Sequence, residues 1–243
     1  MSNKIAFDKD QIDIYLKAVA KQYKKLNRNG IPAEITLIGG ASILVNYGFR
    51  DSTYDVDALI HASSSMKDAI NYVTDTMGLP NGWLNEDFKR TTSYTPKLIE
   101  FSKPYRTFSN MVSIRTIRGE YLVAMKLRAF RQYKHDISDI VGILRAHECA
   151  NDPLTFERID EAVKNLYDGW EHMPEAAQDM IQRILADDDM DALYDAYAQE
   201  EAAAKDVLLT FDHAYPNALK GDNLSDILNH LKAKQKEDKS DSR

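Results

Sequence analysis

The segment LIGGASILVNYGFRDSTYDVDALI, residues 37–60, commits the chain to a fold that mixes sheet and helix. An apolar run, EITLI (34–38), leads into Gly39-Gly40 and then into ASILVNYGF, which reads as about two turns of helix ended by Gly48. TYDVDALIH (53–61) then alternates strictly, with the period of a strand. A strand, a glycine turn, a helix and a returning strand in so short a span exclude an all-helical chain.

The flanking sequence extends this pattern. Residues 9–27 place Ile12, Tyr15, Leu16, Val19, Tyr23 and Leu26 three and four apart, predicting an amphipathic helix closed by Gly30 and Pro32. SSMKDAINYVTDTMG predicts a helix stopped at Gly78, and PKLIEFS and MVSIRTI predict two further short strands. From Glu120 to about Ala146 the period is helical again, in one or two pieces. Beyond residue 150 only helical patterns remain, the first expected to open with Asp152 as cap and Pro153 at its first position. The expected fold class is α+β: a small mixed β-sheet core with flanking helices over 1–150, followed by a helical C-terminal module over 151–243.

Charge follows the same division. Residues 1–150 hold 21 Lys/Arg against 16 Asp/Glu, a net of +5, whereas residues 151–206 hold 4 against 16, a net of −12. The basic front suits a polyanion such as a nucleotide or RNA; solvated helix faces account equally for the acidic part. A single cysteine, Cys149, excludes an intramolecular disulfide and fits a reducing compartment. The opening MSNKIAFDKDQIDIYLK lacks the apolar core of a signal peptide, and no run approaches the roughly 18 to 20 apolar residues of a membrane span. A cytoplasmic protein with no membrane partner is expected.

Two features of the opening segment carry chemistry. A strand feeding Gly39-Gly40 and a helix start gathers backbone N–H groups at one open point, where the partial positive charge of the helix favours a phosphate. Ser42, in the first turn, is placed to donate its hydroxyl to a phosphate oxygen. The same turn also serves as a plain tight connection, so it is not diagnostic alone. Asp55 and Asp57 share one strand face, with Tyr54, Val56, Ala58 and Ile60 on the apolar face. Two carboxylates roughly 7 Å apart on a strand repel unless a cation lies between them. A hard divalent ion, Mg²⁺ or Mn²⁺, held by both acids and by substrate phosphates resolves that conflict; a solvated strand face is the alternative. No GxxxxGK[ST] loop and no calcium-loop spacing occurs.

GGAS followed by RDSTYDVD resembles the signature of the nucleotidyltransferase superfamily, the polymerase-beta-like fold, most strongly over residues 34–60 and more loosely to about 147. Within it, GWLNEDF (82–88) and EYLVAMKLRAFRQYKHDISDI (120–140) are similar to the uncharacterised, abortive-infection toxin-like branch. The resemblance implies a metal-dependent transferase that moves an NMP group from an NTP to an acceptor hydroxyl. It implies Asp55 and Asp57 as metal ligands, Gly39, Gly40 and Ser42 as the triphosphate cradle, and Arg50 and Thr53, which introduce the acid strand, as further nucleotide-binding residues, with Arg50 and Lys126 offsetting developing negative charge. It further implies a third carboxylate, for which Glu100 in PKLIEFS is the candidate and Glu86 and Asp87 are competitors. It makes Lys126 a nucleotide-phosphate contact. RNA such as a tRNA 3′ end is the implied acceptor, with a small-molecule hydroxyl or a protein side chain as alternatives, and an antitoxin protein the implied partner.

The residues keep other readings open. Lys126 shares the apolar face of its helix, so it must snorkel or meet an anion. Asp136 and Asp139 in DISD have the form of a helix cap, with active-site support as the alternative. The histidines show no metal spacing, and Trp83 and Trp170 read as packing anchors. A non-catalytic nucleotide-binding or regulatory protein that retains the fold is the competing function.

Overall fold

The computed structural model describes residues 5–216, 218–220 and 223–240. Its centre is a five-stranded mixed sheet of order β3-β2-β1-β5-β4. The strands are β1 (Ala33–Leu37), β2 (Val56–His61), β3 (Leu84–Asn85), β4 (Ser102–Phe108) and β5 (Val112–Ile117). β1 runs parallel to β5 and antiparallel to β2, and β2 runs parallel to β3. The expected mixed α+β architecture with added helices is the one observed.

Helices cover both faces. On one, α1 (Lys9–Leu26) and α3 (Ser65–Met77) bury Ile12, Leu16 and Val73 against Ile35, Leu37, Val56 and Ile114. Asp8 caps α1 through a reciprocal box with Gln11, which satisfies the backbone N–H groups of both residues. α3 ends at Gly78 in the left-handed conformation, as its sequence predicts. Trp83 is buried in this layer, its indole N–H donating to the Thr74 hydroxyl at 3.0 Å. On the other face lie α4 (Gly119–Ala129), α5 (Asp136–Cys149), α6 (Phe156–Tyr167) and α7 (Ala177–Leu185). Their apolar cluster runs without a break from Ile38 and Leu59 through Leu122 and Ile140 to Ile159 and Ile181. α8 (Met190–Ala214) and α9 (Leu224–Ser240) complete the chain around a third, small cluster.

The local elements depart from expectation in three places. PKLIEF is a 3-10 helix, Pro96–Phe101, not a strand, because Thr95 caps its start and Pro96 presets its first turn. The true edge strand, β4, follows it. β2 begins at Val56 rather than Thr53, which leaves Tyr54 outside the apolar face and 53% exposed. α6 begins at Phe156 with Thr155 as its cap, while the Asp152 carboxylate is taken by Arg158 at 2.8 Å. Among the described residues no helix is long and apolar enough to cross a membrane.

Candidate active site

The turn between β1 and α2 (Gly39–Asn46) sits where the sheet's central strand ends. Gly39 has φ +50°, in the region where any side chain is strained. At Gly40 a Cβ would stand 3.1 Å from the Thr53 hydroxyl and 3.3 Å from the Arg50 guanidinium, so the backbone is in close approach to the RDST segment. The first bond of the helix runs from the Ser42 N–H to the Ile38 carbonyl at 3.3 Å, which leaves the amides before it at the open end.

The acids stand beside this turn. The Ile38 N–H donates to the Asp57 carbonyl at 2.8 Å, tying the glycine turn to the acid strand through the backbone. Thr53 is buried and donates its hydroxyl to the Asp55 carbonyl at 3.0 Å, fixing the approach to Asp55. In β2, Val56 and Ala58 face the α1–α3 layer and Leu59 the α4–α7 layer, so the two-residue period puts Asp57 on the side of α4 and α5. Asp57 is half-buried and its pKa is pushed up to about 6, first by burial and then by the charge of Asp55. Asp87 adds to the rise, and Lys134 and Arg131 oppose it. With Asp57 disfavoured as an anion by burial and by Asp55 beside it, the two acids offer hard oxygen donors of the kind that suit Mg²⁺ or Mn²⁺. Among the described residues no three acidic, histidine or cysteine side chains are grouped as a cage. The donor set therefore fits an ion shared with substrate phosphates rather than one held by protein alone.

Behind the pair lies a buried ionic network. The Lys126 ammonium is 2.9 Å from Asp136 and 2.7 Å from Asp139. Asp136 is fully buried and also accepts from the Arg131 guanidinium at 2.8 Å and from the Arg131 backbone N–H at 3.0 Å. Asp139 takes Arg50 at 2.8 Å. Burial alone would neutralise these groups; instead the cations Lys126 and Arg131 hold the Asp136 carboxyl well below the usual range. Burial likewise opposes the charge on Lys126, yet Asp136 and Asp139 hold its pKa above normal. Three cations and two anions leave the network net positive on the side facing Asp57.

Several sequence-derived assignments change here. Ser42 is fully buried and its hydroxyl oxygen accepts the Ile117 N–H at 3.0 Å, so it ties α2 to β5 and presents nothing to a phosphate. Glu100 is exposed in the 3-10 helix ahead of β4, and β4 lies three strands from β2 across the sheet. The neighbours of β2 are β1 and β3, and in β3 Asn85 lies opposite Asp57, so the acids that follow it, Glu86 and Asp87, come beside the pair. Glu86 is occupied by the Ile60 N–H at 2.9 Å and by Lys89 at 2.6 Å. Lys126 presents no free ammonium; the anions it meets are the chain's own. Asp136 does not cap α5, whose cap position is His135 without a side-chain bond.

Arg131 and Glu201 were not legible from sequence, whereas Lys134 falls in the KHDISD stretch that carries the resemblance. Glu201, on α8, is buried and accepts from the Ile137 N–H at 2.7 Å, from the Ser138 N–H at 3.4 Å and from the Ser138 hydroxyl. A carboxylate from the far end of the chain thereby satisfies the first amides of α5, with the helix dipole in its favour. Burial nevertheless raises its pKa from 4.5 to about 7, with Asp139 adding to the rise and its hydrogen bonds opposing it. The folded chain thus keeps a proton there that the unfolded chain has released, and unfolding free energy falls as pH climbs from 4.5 to about 7. Urea unfolding at either end of that window should show a shallower loss for Glu201→Gln than for the parent; an equal loss would place the proton elsewhere.

A family described as nucleotidyltransferase of unknown function (DUF6036) matches residues 15–173, which include the glycine turn, both acids and the ionic network. No curated protein and no solved structure gives a match. With about two thirds of its length inside the matched segment, the chain belongs to this family of nucleotidyltransferases.

Proposed function

We propose that the protein transfers a nucleotidyl group from an NTP to an acceptor hydroxyl, using Mg²⁺ or Mn²⁺ held between Asp55, Asp57 and the substrate's phosphates. The observation that carries this reading is the backbone bond from Ile38 to Asp57, which ties a glycine turn with open helix-start amides to a strand carrying an acid pair that calls for a cation. The bound ion would neutralise phosphate charge.

The chain's own residues do the rest. The amides at Gly39 and Gly40 receive the terminal phosphates. Arg131 and Lys134, whose charges already reach Asp57, offset negative charge as the acceptor oxygen attacks the α-phosphorus. The new O–P bond forms as the bond from the α-phosphorus to the bridging oxygen breaks, and pyrophosphate leaves with that electron pair. Asp87, whose charge reaches Asp57, would take the hydroxyl proton in place of Glu100. Lys126 acts through Asp136 and Asp139 by fixing Arg131 and Arg50. A chain with one exposed cysteine suits a reducing, cytoplasmic setting. RNA, including a tRNA 3′ end, is the proposed acceptor, and an antitoxin-like inhibitor the proposed partner.

Incubation with each α-labelled NTP, either metal, and separate RNA, protein and metabolite fractions tests the proposal. Label is expected in one fraction, in a metal-dependent manner. Label absent from every fraction, with NTP still bound, would favour the non-catalytic nucleotide-binding reading.

A further inference from the structure

α8 lies outside the segment matched by the family, yet three of its side chains reach residues around the site. Tyr194 donates its hydroxyl to the Phe49 carbonyl at 3.3 Å, just before Arg50, and Glu201 holds the start of α5. One turn beyond Glu201, on the same side of the helix, Lys205 brings its ammonium over the Tyr54 ring, 5.9 Å from the centroid. Tyr54 is the residue immediately before Asp55.

Lys205 differs from the other cations of this acidic stretch. Residues 151–206 contain four Lys/Arg. Arg158 is paired with Asp152 at 2.8 Å, Lys164 with Asp160 at 2.6 Å, and Arg183 is bonded to the Asp179 carbonyl at 3.2 Å. Among the described residues Lys205 forms neither an ion pair nor a hydrogen bond, and its ammonium lies over the half-exposed Tyr54 ring. An exposed aromatic ring beside an uncommitted cation, next to acids that act on phosphate, is the element that takes a nucleobase by stacking and its phosphate by charge.

We propose that Tyr54 and Lys205 form the acceptor side of the site and bind the terminal nucleotide of a single-stranded polynucleotide, the base on Tyr54 and the phosphodiester on Lys205. This rests on the nucleotidyl-transfer reading. On that reading the triphosphate is met by the glycine turn and Arg131, inside the matched segment. The acceptor is the part a single lysine on an added helix can select.

The test uses the full chain with Tyr54→Ala, Tyr54→Phe, Lys205→Glu and Lys205→Arg, all at exposed positions whose folding is followed by circular dichroism. Binding of a short 5′-labelled single-stranded RNA is measured by fluorescence anisotropy, and binding of a fluorescent ATP analogue with Mn²⁺ is measured in parallel. Tyr54→Ala and Lys205→Glu are expected to weaken RNA binding roughly tenfold or more, while Tyr54→Phe and Lys205→Arg retain it. ATP-analogue affinity is expected to stay within about twofold of the parent in all four, since none touches the glycine turn. Unchanged RNA binding in Tyr54→Ala and Lys205→Glu, or no RNA binding by the parent, overturns the proposal. ATP-analogue binding that falls with these variants overturns it as well, by assigning the patch to the donor base. Failure of the parent to bind the analogue at all overturns instead the nucleotidyl-transfer reading, whatever the RNA result.

Discussion

Asp57→Asn is expected to abolish transfer and, in the absence of metal, to make the protein harder to unfold. Asp57 is half-buried against α4 and α5 with Asp55 as its neighbour, and the ionised form is disfavoured enough to move its pKa from 3.8 to about 6. At neutral pH the folded chain bears that cost and the unfolded chain does not. Asparagine has nearly the same shape and no charge. Discounted for the exposed part of the side chain, the gain is about 1 to 2 kcal/mol, or a few degrees in melting temperature. With Mg²⁺ or Mn²⁺ present the order should reverse, because a ligand that binds only the folded parent stabilises it by mass action and leaves the variant unmoved. Turnover should fall on the order of a hundred- to a thousand-fold or more, the scale of losing one electrostatic element of a transition state. Thermal melts in EDTA and in metal, with label transfer alongside, read all three effects. A variant less stable than the parent in EDTA, combined with a parent insensitive to metal, would refute the assignment of the pair to an ion.

What the sequence disclosed and what it hid follow from the range of the interactions involved. The β1–glycine–α2 unit and the Asp55–Asp57 spacing are properties of adjacent residues, and helix and strand periods expose them directly. β3 was hidden because two residues, Leu84 and Asn85, have no period to detect. β4 was hidden because SKPYRTF is an edge strand, with Pro104, Lys103 and Arg106 giving it the polar composition that discourages pairing with another chain. PKLIEF showed the opposite error: an apolar run read as a strand whose backbone is set by Pro96. Apolar position on α4 marked Lys126 as needing an anion, but its partners lie ten and thirteen residues on, across a loop, where helical spacing rules say nothing. Glu201 meets Ile137 from 64 residues away, and no local pattern announces that contact. The acid pair was therefore legible, and so were Arg50, Lys126 and Lys134 as neighbouring cations; Arg131 and the contacts that hold Arg50 and Lys126 were not.

That difference in range bears on the stability of the whole site. Asp136→Ala is expected to destabilise the protein by about 3 to 5 kcal/mol, a large part of the total stability of a chain this size. The substitution leaves Lys126, almost fully buried, with Asp139 alone, and that carboxylate is already shared with Arg50. It also frees the Arg131 guanidinium and removes the acceptor of the Arg131 backbone N–H. A buried charge stripped of its partner costs more than the pair ever contributed, so removing both members should cost less than removing one. Lys126→Met with Asp136→Leu is accordingly expected to recover part of the lost stability, though not all, because the Arg131 amide stays unsatisfied. Transfer should not recover with it: Arg131 loses the carboxylate that aims it toward Asp57, and a restored fold does not restore that orientation. Urea denaturation of the single and double variants gives the coupling energy between the two side chains, and label transfer by the refolded double variant gives the functional half. A double variant as active as the parent would show that Lys126 and Asp136 serve only to hold α4 against α5, and that the positive charge facing Asp57 is set by Lys134 and Arg131 without them.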